Sequence, residues 1–165
     1  MHYAAINPLD MANGPGWRVS LFVSGCRNRC EGCFNPEAWD FEYGEKFTWE
    51  TVHEIERLLD NPNVEGLSIL GGDPLEPENR EWVETLCAYI KHNLPNKTIW
   101  VWTGYDFIED GLIDILLMNY IDVLVDGRFE KDLKDLRLKY RGSSNQRVID
   151  VKQSLEKRCA IRYHH

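Results

Sequence analysis

Cys26, Cys30 and Cys33 are separated by three and then two residues, and they make up three of the five cysteines in the chain. Thiolates this close along a loop converge on one metal centre and prefer a soft or borderline metal, iron–sulfur or zinc. The count is as informative as the closeness. A closed structural zinc site has four protein ligands, and so does a cluster that only carries electrons. Here the local run stops at three, so a four-iron cluster in this loop leaves one iron open to an outside ligand. An open coordination position belongs to a catalytic site. The same residues also allow a zinc knuckle, completed by Cys159 and a tail histidine such as His164.

A second group with chemical potential is Gly71, Gly72, Asp73 and Pro74. Two glycines at a strand end expose backbone polar groups, and Asp73 adds a carboxylate to the same space. A tight strand-to-helix turn with Asp73 as a cap is the plainer alternative. Further along, Asp126 and Arg128 follow an apolar run, and Asn145 and Arg147 close a donor-rich stretch. Ordinary surface ion pairing or a solvated turn is open for these four. Cys87 falls among apolar residues at helical spacing and is expected to be a small buried residue.

The elements that must position these groups follow from periodicity. A first edge strand is expected around residues 3–6. Asn13, Gly14, Pro15 and Gly16 form a turn whose bare backbone can approach a ligand or another chain. Residues 19–23 suit a buried strand, and the cysteine loop begins at its C-terminal end. In parallel α/β sheets sites gather at such ends. Thr48 caps a helix over 49–60, with Val52, Ile55, Leu58 and Leu59 on one face. A strand at 66–70 leads into the Gly71–Pro74 group, and a helix at 78–93 follows. Strands at 98–102, 121–125 and 148–151, with a helix over 107–120, complete the pattern. The fold class expected is therefore α/β.

At 165 residues the chain is read as a single domain over 1–165, with 152–165 as a locally basic tail that can be mobile. The net charge of −8 argues against a nucleic-acid surface. No apolar run approaches the roughly 18 residues that span a bilayer, and no signal pattern opens the chain. Clustered cysteines fit a reducing compartment, so a cytoplasmic location is expected.

The Cys26, Cys30, Cys33 spacing resembles that of the radical S-adenosylmethionine superfamily, and Gly71 to Pro74 resembles its Gly-Gly-Glu-Pro motif with a shorter carboxylate. One departure is Gly32, a position often aromatic in that superfamily. Asn13 to Gly16, and Cys33 with Phe34 and Asn35, are similar to glycyl-radical-activating enzymes. Trp102 to Tyr105, Asp126 to Glu130 and Arg141 to Arg147 resemble more narrowly the activases of anaerobic, class III ribonucleoside-triphosphate reductases. The resemblance implies a partial (β/α) barrel of mostly parallel strands, since 165 residues fall short of the roughly 250 of a closed barrel. It implies a 4Fe-4S cluster on Cys26, Cys30 and Cys33, with S-adenosylmethionine on the open iron. The backbone of Gly32, Cys33 and Phe34 would meet adenine, and Gly71, Gly72, Asp73 and Pro74 the methionine end. Asp126, Arg128, Asn145 and Arg147 would reach ribose or carboxylate. The implied partners are a large anaerobic reductase that receives a glycyl radical and a low-potential electron donor, in a homodimer or within a heterotetramer. The Gly14–Gly16 turn is expected to flank the reductase's path of entry. An activase of the formate-lyase type and a non-catalytic zinc or iron–sulfur partner-binding module are the alternatives.

Overall fold

The computed structural model of the protein describes residues 1–164. Its strands are β1 (His2–Asp10), β2 (Trp17–Val23), β3 (Glu45–Lys46), β4 (Val64–Gly71), β5 (Thr98–Trp102), β6 (Val123–Asp126) and β7 (Arg147–Asp150), of which β2, β4, β5 and β6 come from apolar runs rich in β-branched residues. They make one mixed sheet in the order β3-β1-β2-β4-β5-β6-β7. The four central strands β2, β4, β5 and β6 are parallel, whereas β1, β3 and β7 pair antiparallel. Parallel neighbours need crossovers. The first two are supplied by α1 (Trp49–Leu59) and α2 (Pro77–Asn93), and α3 (Val151–Lys157) follows β7.

Alternation along the strands decides the layers. Val19, Leu21, Val23, Leu67, Ile69, Ile99, Val101 and Leu124 are buried in one core with Val52, Ile55 and Leu59 of α1 and Val83, Leu86 and Ile90 of α2. Each fully buried Leu or Ile of this set contributes about 1.5–3 kcal/mol relative to exposure. Cys87 lies in the same core, fully buried, as its helical spacing suggests. The opposite sheet face carries the alternate residues, among them a smaller cluster of Trp100, Val123, Val125 and Val148. Helix α1 starts where expected: the Thr48 N–H donates to Thr51 Oγ1 at 3.1 Å.

Four expectations need correction. The span 107–120 is not an α-helix but holds two 3-10 turns, Leu112–Asp114 and Leu116–Tyr120. Gly111 sits at φ +73°, and Ile115 is extended, so the apolar periodicity has no continuous helical backbone to ride on. Asp106 also takes the N–H groups of Ile108 and Glu109, at 2.8 Å each, into a local turn. Strand β1 extends beyond residues 3–6, to His2–Asp10. The tail is packed: Arg162 bridges to Ile149, the Tyr163 N–H donates to Val148 O at 2.9 Å, and Ser154 is buried. His165, also in that tail, lies outside the described residues.

The fourth correction is positional. The turn at Gly14 and Gly16 precedes β2, so it lies at the end of the sheet opposite the cysteine loop, about seven strand residues or roughly 23 Å away. There it packs on Arg18, a fully buried guanidinium bonded to Ser68 Oγ, Thr98, and the carbonyls of Pro15 and Leu67. Burial pushes the Arg18 pKa down to about 10. Among the described residues no helix is long and apolar enough to cross a membrane.

Candidate metal centre

Because β2, β4, β5 and β6 are parallel, their C-terminal ends share one edge of the sheet. The cysteine loop leaves β2 there, beside Gly71 of β4, Thr103 after β5 and Asp126 of β6. The loop is held at its root by backbone bonds from Gly25 N to Ala38 O (2.7 Å), Cys26 N to Trp39 O (3.2 Å) and Asp73 N to Gly25 O (2.8 Å). Gly71 and Gly72 make this seating possible. A Cβ on Gly71 would meet Val23 backbone atoms at 2.5 and 2.6 Å, and one on Gly72 the Gly25 and Ala38 carbonyls at 2.7 and 2.8 Å. Gly32 also has a local reason. It is at φ +76°, inside the turn closed by Cys33 N to Cys30 O at 3.1 Å.

The three loop thiols are half-buried. Burial raises the Cys26 and Cys30 thiols, while backbone N–H groups of Asn28 and Arg29 at Cys26, and of Phe129 at Cys30, pull them down. Such N–H groups aimed at sulfur favour thiolates. A single tetrahedral zinc with bonds of about 2.3 Å needs sulfurs about 3.8 Å apart. Among the described residues, the one His/Cys/Asp/Glu group whose ligand atoms all lie within 4.8 Å is Cys26, Asp73 and Glu76, not the three thiols. Three half-buried thiols on one loop are the soft donor set that an iron–sulfur cluster takes. Cys159 is exposed at the end of α3, near the opposite edge of the sheet, and neither it nor His164 joins the loop.

Asp73 is 1% exposed, and its carboxylate is surrounded. Oδ1 accepts from Leu75 N at 2.9 Å and Thr103 Oγ1 at 2.8 Å; Oδ2 accepts from Gly104 N at 2.9 Å and Asn28 Nδ2 at 3.3 Å. Burial drives its pKa up to about 6, against the pull of those donors. It is therefore both a turn residue, through Leu75, and a link between three strand ends.

Asp126 and Arg147 come together with each other. Arg147 donates to both Asp126 oxygens, at 3.0 and 2.6 Å, and Phe107 N adds 2.8 Å to one of them. Arg128 is exposed and donates to Asn28 Oδ1 at 3.0 Å; Asn145 Nδ2 donates to Arg128 O at 2.7 Å. Asn145 Oδ1 and Trp39 Nε1 are buried without a hydrogen-bond partner among the described residues. Phe34 is fully exposed, and Pro74 is buried. A cleft of about 1000 Å³ opens beside the loop, lined by Cys26, Arg29, Trp39 and Phe41 among others.

Sequence reasoning missed Glu76 and Asn28. Glu76 is fully buried and accepts from Arg27 N at 3.0 Å, Arg27 Nη1 at 2.6 Å and Tyr105 OH at 3.2 Å, so it pins the loop between Cys26 and Cys30. The available signal was an acid directly before Pro77, the first residue of a helix. Asn28 had none, since its partners come from β4 and β6 loops far away in sequence.

These positions coincide with a known family. The model of the 4Fe-4S single cluster domain matches residues 12–149. The anaerobic ribonucleoside-triphosphate reductase-activating protein of Enterobacteria phage T4 is 46% identical over 148 residues, covering 90% of this chain and 93% of that protein. The proteins of the same name from Salmonella typhi and Escherichia coli (strain K12) are 45% and 43% identical over 150 residues, each covering 90% of this chain and 97% of theirs. With half-buried thiols on a loop inside the matched region and relatives of such extent, the chain belongs to the 4Fe-4S single cluster domain family, alongside the anaerobic ribonucleoside-triphosphate reductase-activating proteins.

Proposed function

We propose that the protein activates an anaerobic ribonucleoside-triphosphate reductase by reductive cleavage of S-adenosylmethionine, leaving a glycyl radical on the reductase. The single observation that carries this reading is the three-thiol loop at the C-terminal ends of the parallel strands, in a chain whose relatives bear that reductase's name. Cys26, Cys30 and Cys33 would hold a 4Fe-4S cluster, which would supply the electron for reductive cleavage of S-adenosylmethionine to methionine and a 5′-deoxyadenosyl radical.

The chain's own residues bind and orient. Glu76 and the Gly72 backbone fix the loop, so the thiols keep their places. The backbone at Gly32, Cys33 and Phe34 flanks the adenine, and Gly71 to Pro74 the methionine end. Asp73 offers an anion for the ammonium. Its longest contact, Asn28 Nδ2 at 3.3 Å, is the one that an ammonium would replace. The orphaned Asn145 Oδ1 and exposed Arg128 suit hydroxyl and carboxylate groups of the cofactor, while the Asp126–Arg147 pair holds their loop in place. On the sheet face away from the helices, Phe22, Leu70 and Trp102 are only half-buried near this edge. The sheet, read as a partial barrel, leaves that face open to a glycine-bearing loop of the reductase, whose bare Cα can approach closely. That Cα would give up one hydrogen atom, which would end on 5′-deoxyadenosine, and would keep the unpaired electron as the glycyl radical. The electron comes from a low-potential donor outside the chain, in the cytoplasm.

Anaerobic reconstitution tests this. The expected result is about four irons per chain and release of methionine with 5′-deoxyadenosine on reduction. Cys26→Ala, Cys30→Ala and Cys33→Ala should each lose both, whereas Cys87→Ala and Cys159→Ala keep them. One tightly held zinc and no cleavage would return the loop to a partner-binding module.

A further inference from the structure

The connection between β6 and β7 runs over residues 127–146 without regular strand or α-helix, and loops of such length are usually functional. Within it stand Arg128, Lys131, Lys134, Arg137, Lys139 and Arg141 against only Glu130, Asp132 and Asp135, in a chain of net charge −8. Positive charge is thus gathered on one excursion of an otherwise acidic surface. The excursion is not loose. Ser144 N donates to Leu133 O at 2.9 Å, Lys134 bridges to Ser143, and Trp102 Nε1 donates to Tyr140 O at 2.7 Å. The Tyr140 ring stacks edge-on against Trp100 at 5.0 Å.

Two further features sit on it. Leu136 is 89% exposed and Leu133 is 41% exposed. Beside them opens a cavity of about 250 Å³ lined by Arg137, Lys139, Arg141 and Arg162, with Leu138 and Val148, and no carboxylate among its lining residues. Arg137 is paired with the nearby Asp135 at 2.9 Å, which leaves the other three cations to set the field. The start of the same excursion touches the thiol loop. Arg128 bonds Asn28, Lys131 lies over Gly32 and 3.5 Å from Glu31, and Phe129 N–H faces Cys30.

We propose that this excursion is the surface on which the reductase docks. An acidic face of the reductase meets the basic segment, one of its carboxylates enters the cationic cavity, and apolar ground beside it covers Leu133 and Leu136. The inference rests on the functional reading given above. With a net charge of −8 the chain as a whole would repel such a face, so the positive charge gathered on this segment and the adjoining Arg162 orients the encounter. Docking there brings the reductase against the loop that carries Cys30 and Cys33.

The test is the affinity of the reconstituted protein for the anaerobic reductase at low and high salt. It is compared for wild type, Lys139→Glu/Arg162→Glu, Lys134→Glu and, away from the segment, Lys152→Glu. Reversing rim charges should weaken association by about tenfold or more and flatten its salt dependence. Cleavage of S-adenosylmethionine without reductase should stay at the wild-type rate in all variants, and Lys152→Glu should bind normally. Radical yield should recover in the two segment variants as the reductase concentration is raised. Affinity within about twofold of wild type in both segment variants overturns the proposal. So does inorganic phosphate that binds in the cavity and is lost in Lys139→Glu/Arg162→Glu while reductase affinity is unchanged. A wild-type protein that cleaves S-adenosylmethionine yet never binds the reductase removes the functional reading itself, and this surface with it.

Discussion

Asp73 carries more constraints than any other side chain near the thiol loop. Its carboxylate takes four donors, from the loops after β4 and β5 and from the cysteine loop, while fully enclosed, so two of its roles cannot be separated by charge alone. In Asp73→Asn the amide can still accept from Leu75 and Thr103, but its NH₂ then faces the Gly104 N–H and the Asn28 amide. Unsatisfied buried donors cost about 1–3 kcal/mol. A thermal scan of the variant should therefore show a midpoint lower by several degrees. Affinity for S-adenosylmethionine should fall by about one to two powers of ten, the loss expected from a charge-assisted bond, with iron content unchanged. Wild-type midpoint and wild-type affinity together would remove Asp73 from both roles. Asp73 was legible in the sequence because two glycines precede it. Its binding partners were not, because Asn28, Thr103 and Gly104 meet it only after the parallel strands have been laid side by side.

Among the elements, the strand ends decide how well the loop is held, and glycine makes their approach possible. Gly72→Ala would drive a Cβ into the Gly25 and Ala38 carbonyls, which are backbone atoms with nowhere to retreat. Overpacking of this kind costs about 1–3 kcal/mol, and the cost falls on the cysteine loop. The expected result is poor iron incorporation in a protein whose circular dichroism is close to wild type. Gly14→Val is the contrasting case. Its φ of +119° and its contact with Arg18 predict lost stability, yet the position is at the far end of β2, so cofactor cleavage per assembled cluster should be unchanged. At that same end Asp10 is set by burial, which raises its pKa, and more strongly in sum by bonds from Ser20, Ala12 and Asn13, which lower it. A carboxylate with a depressed folded pKa contributes stability above its unfolded value of 3.8 and loses it as pH falls through the folded one. The gap in urea midpoint between wild type and Asp10→Asn should accordingly narrow as pH drops below 3.8. The parallel strands and α1 were readable because period-two and helical apolar spacing agree with their burial. Residues 107–120 were not, because Leu112, Leu117 and Met118 are buried from 3-10 turns, which imitate helical spacing over so short a span.

For the whole molecule, the proposed function has an acidic α/β protein deliver a radical to a glycine of another protein. In the proposed function, the edge carrying the thiol loop, the half-buried Phe22, Leu70 and Trp102 beside it, and the basic excursion next to Gly32 are the ground that the reductase would meet. The sequence made the thiol loop and the family visible. It did not show that the Gly14–Gly16 turn lies away from the site, because a turn's distance from a loop depends on strand direction. The most direct measurement is electron paramagnetic resonance of the reduced, reconstituted protein with S-adenosylmethionine, with and without the anaerobic reductase. A stable organic radical should appear only when the reductase is present, and should vanish when the radical-bearing glycine of the reductase is replaced by alanine. A radical of equal yield without the reductase, or one that survives that glycine's replacement, would contradict the account.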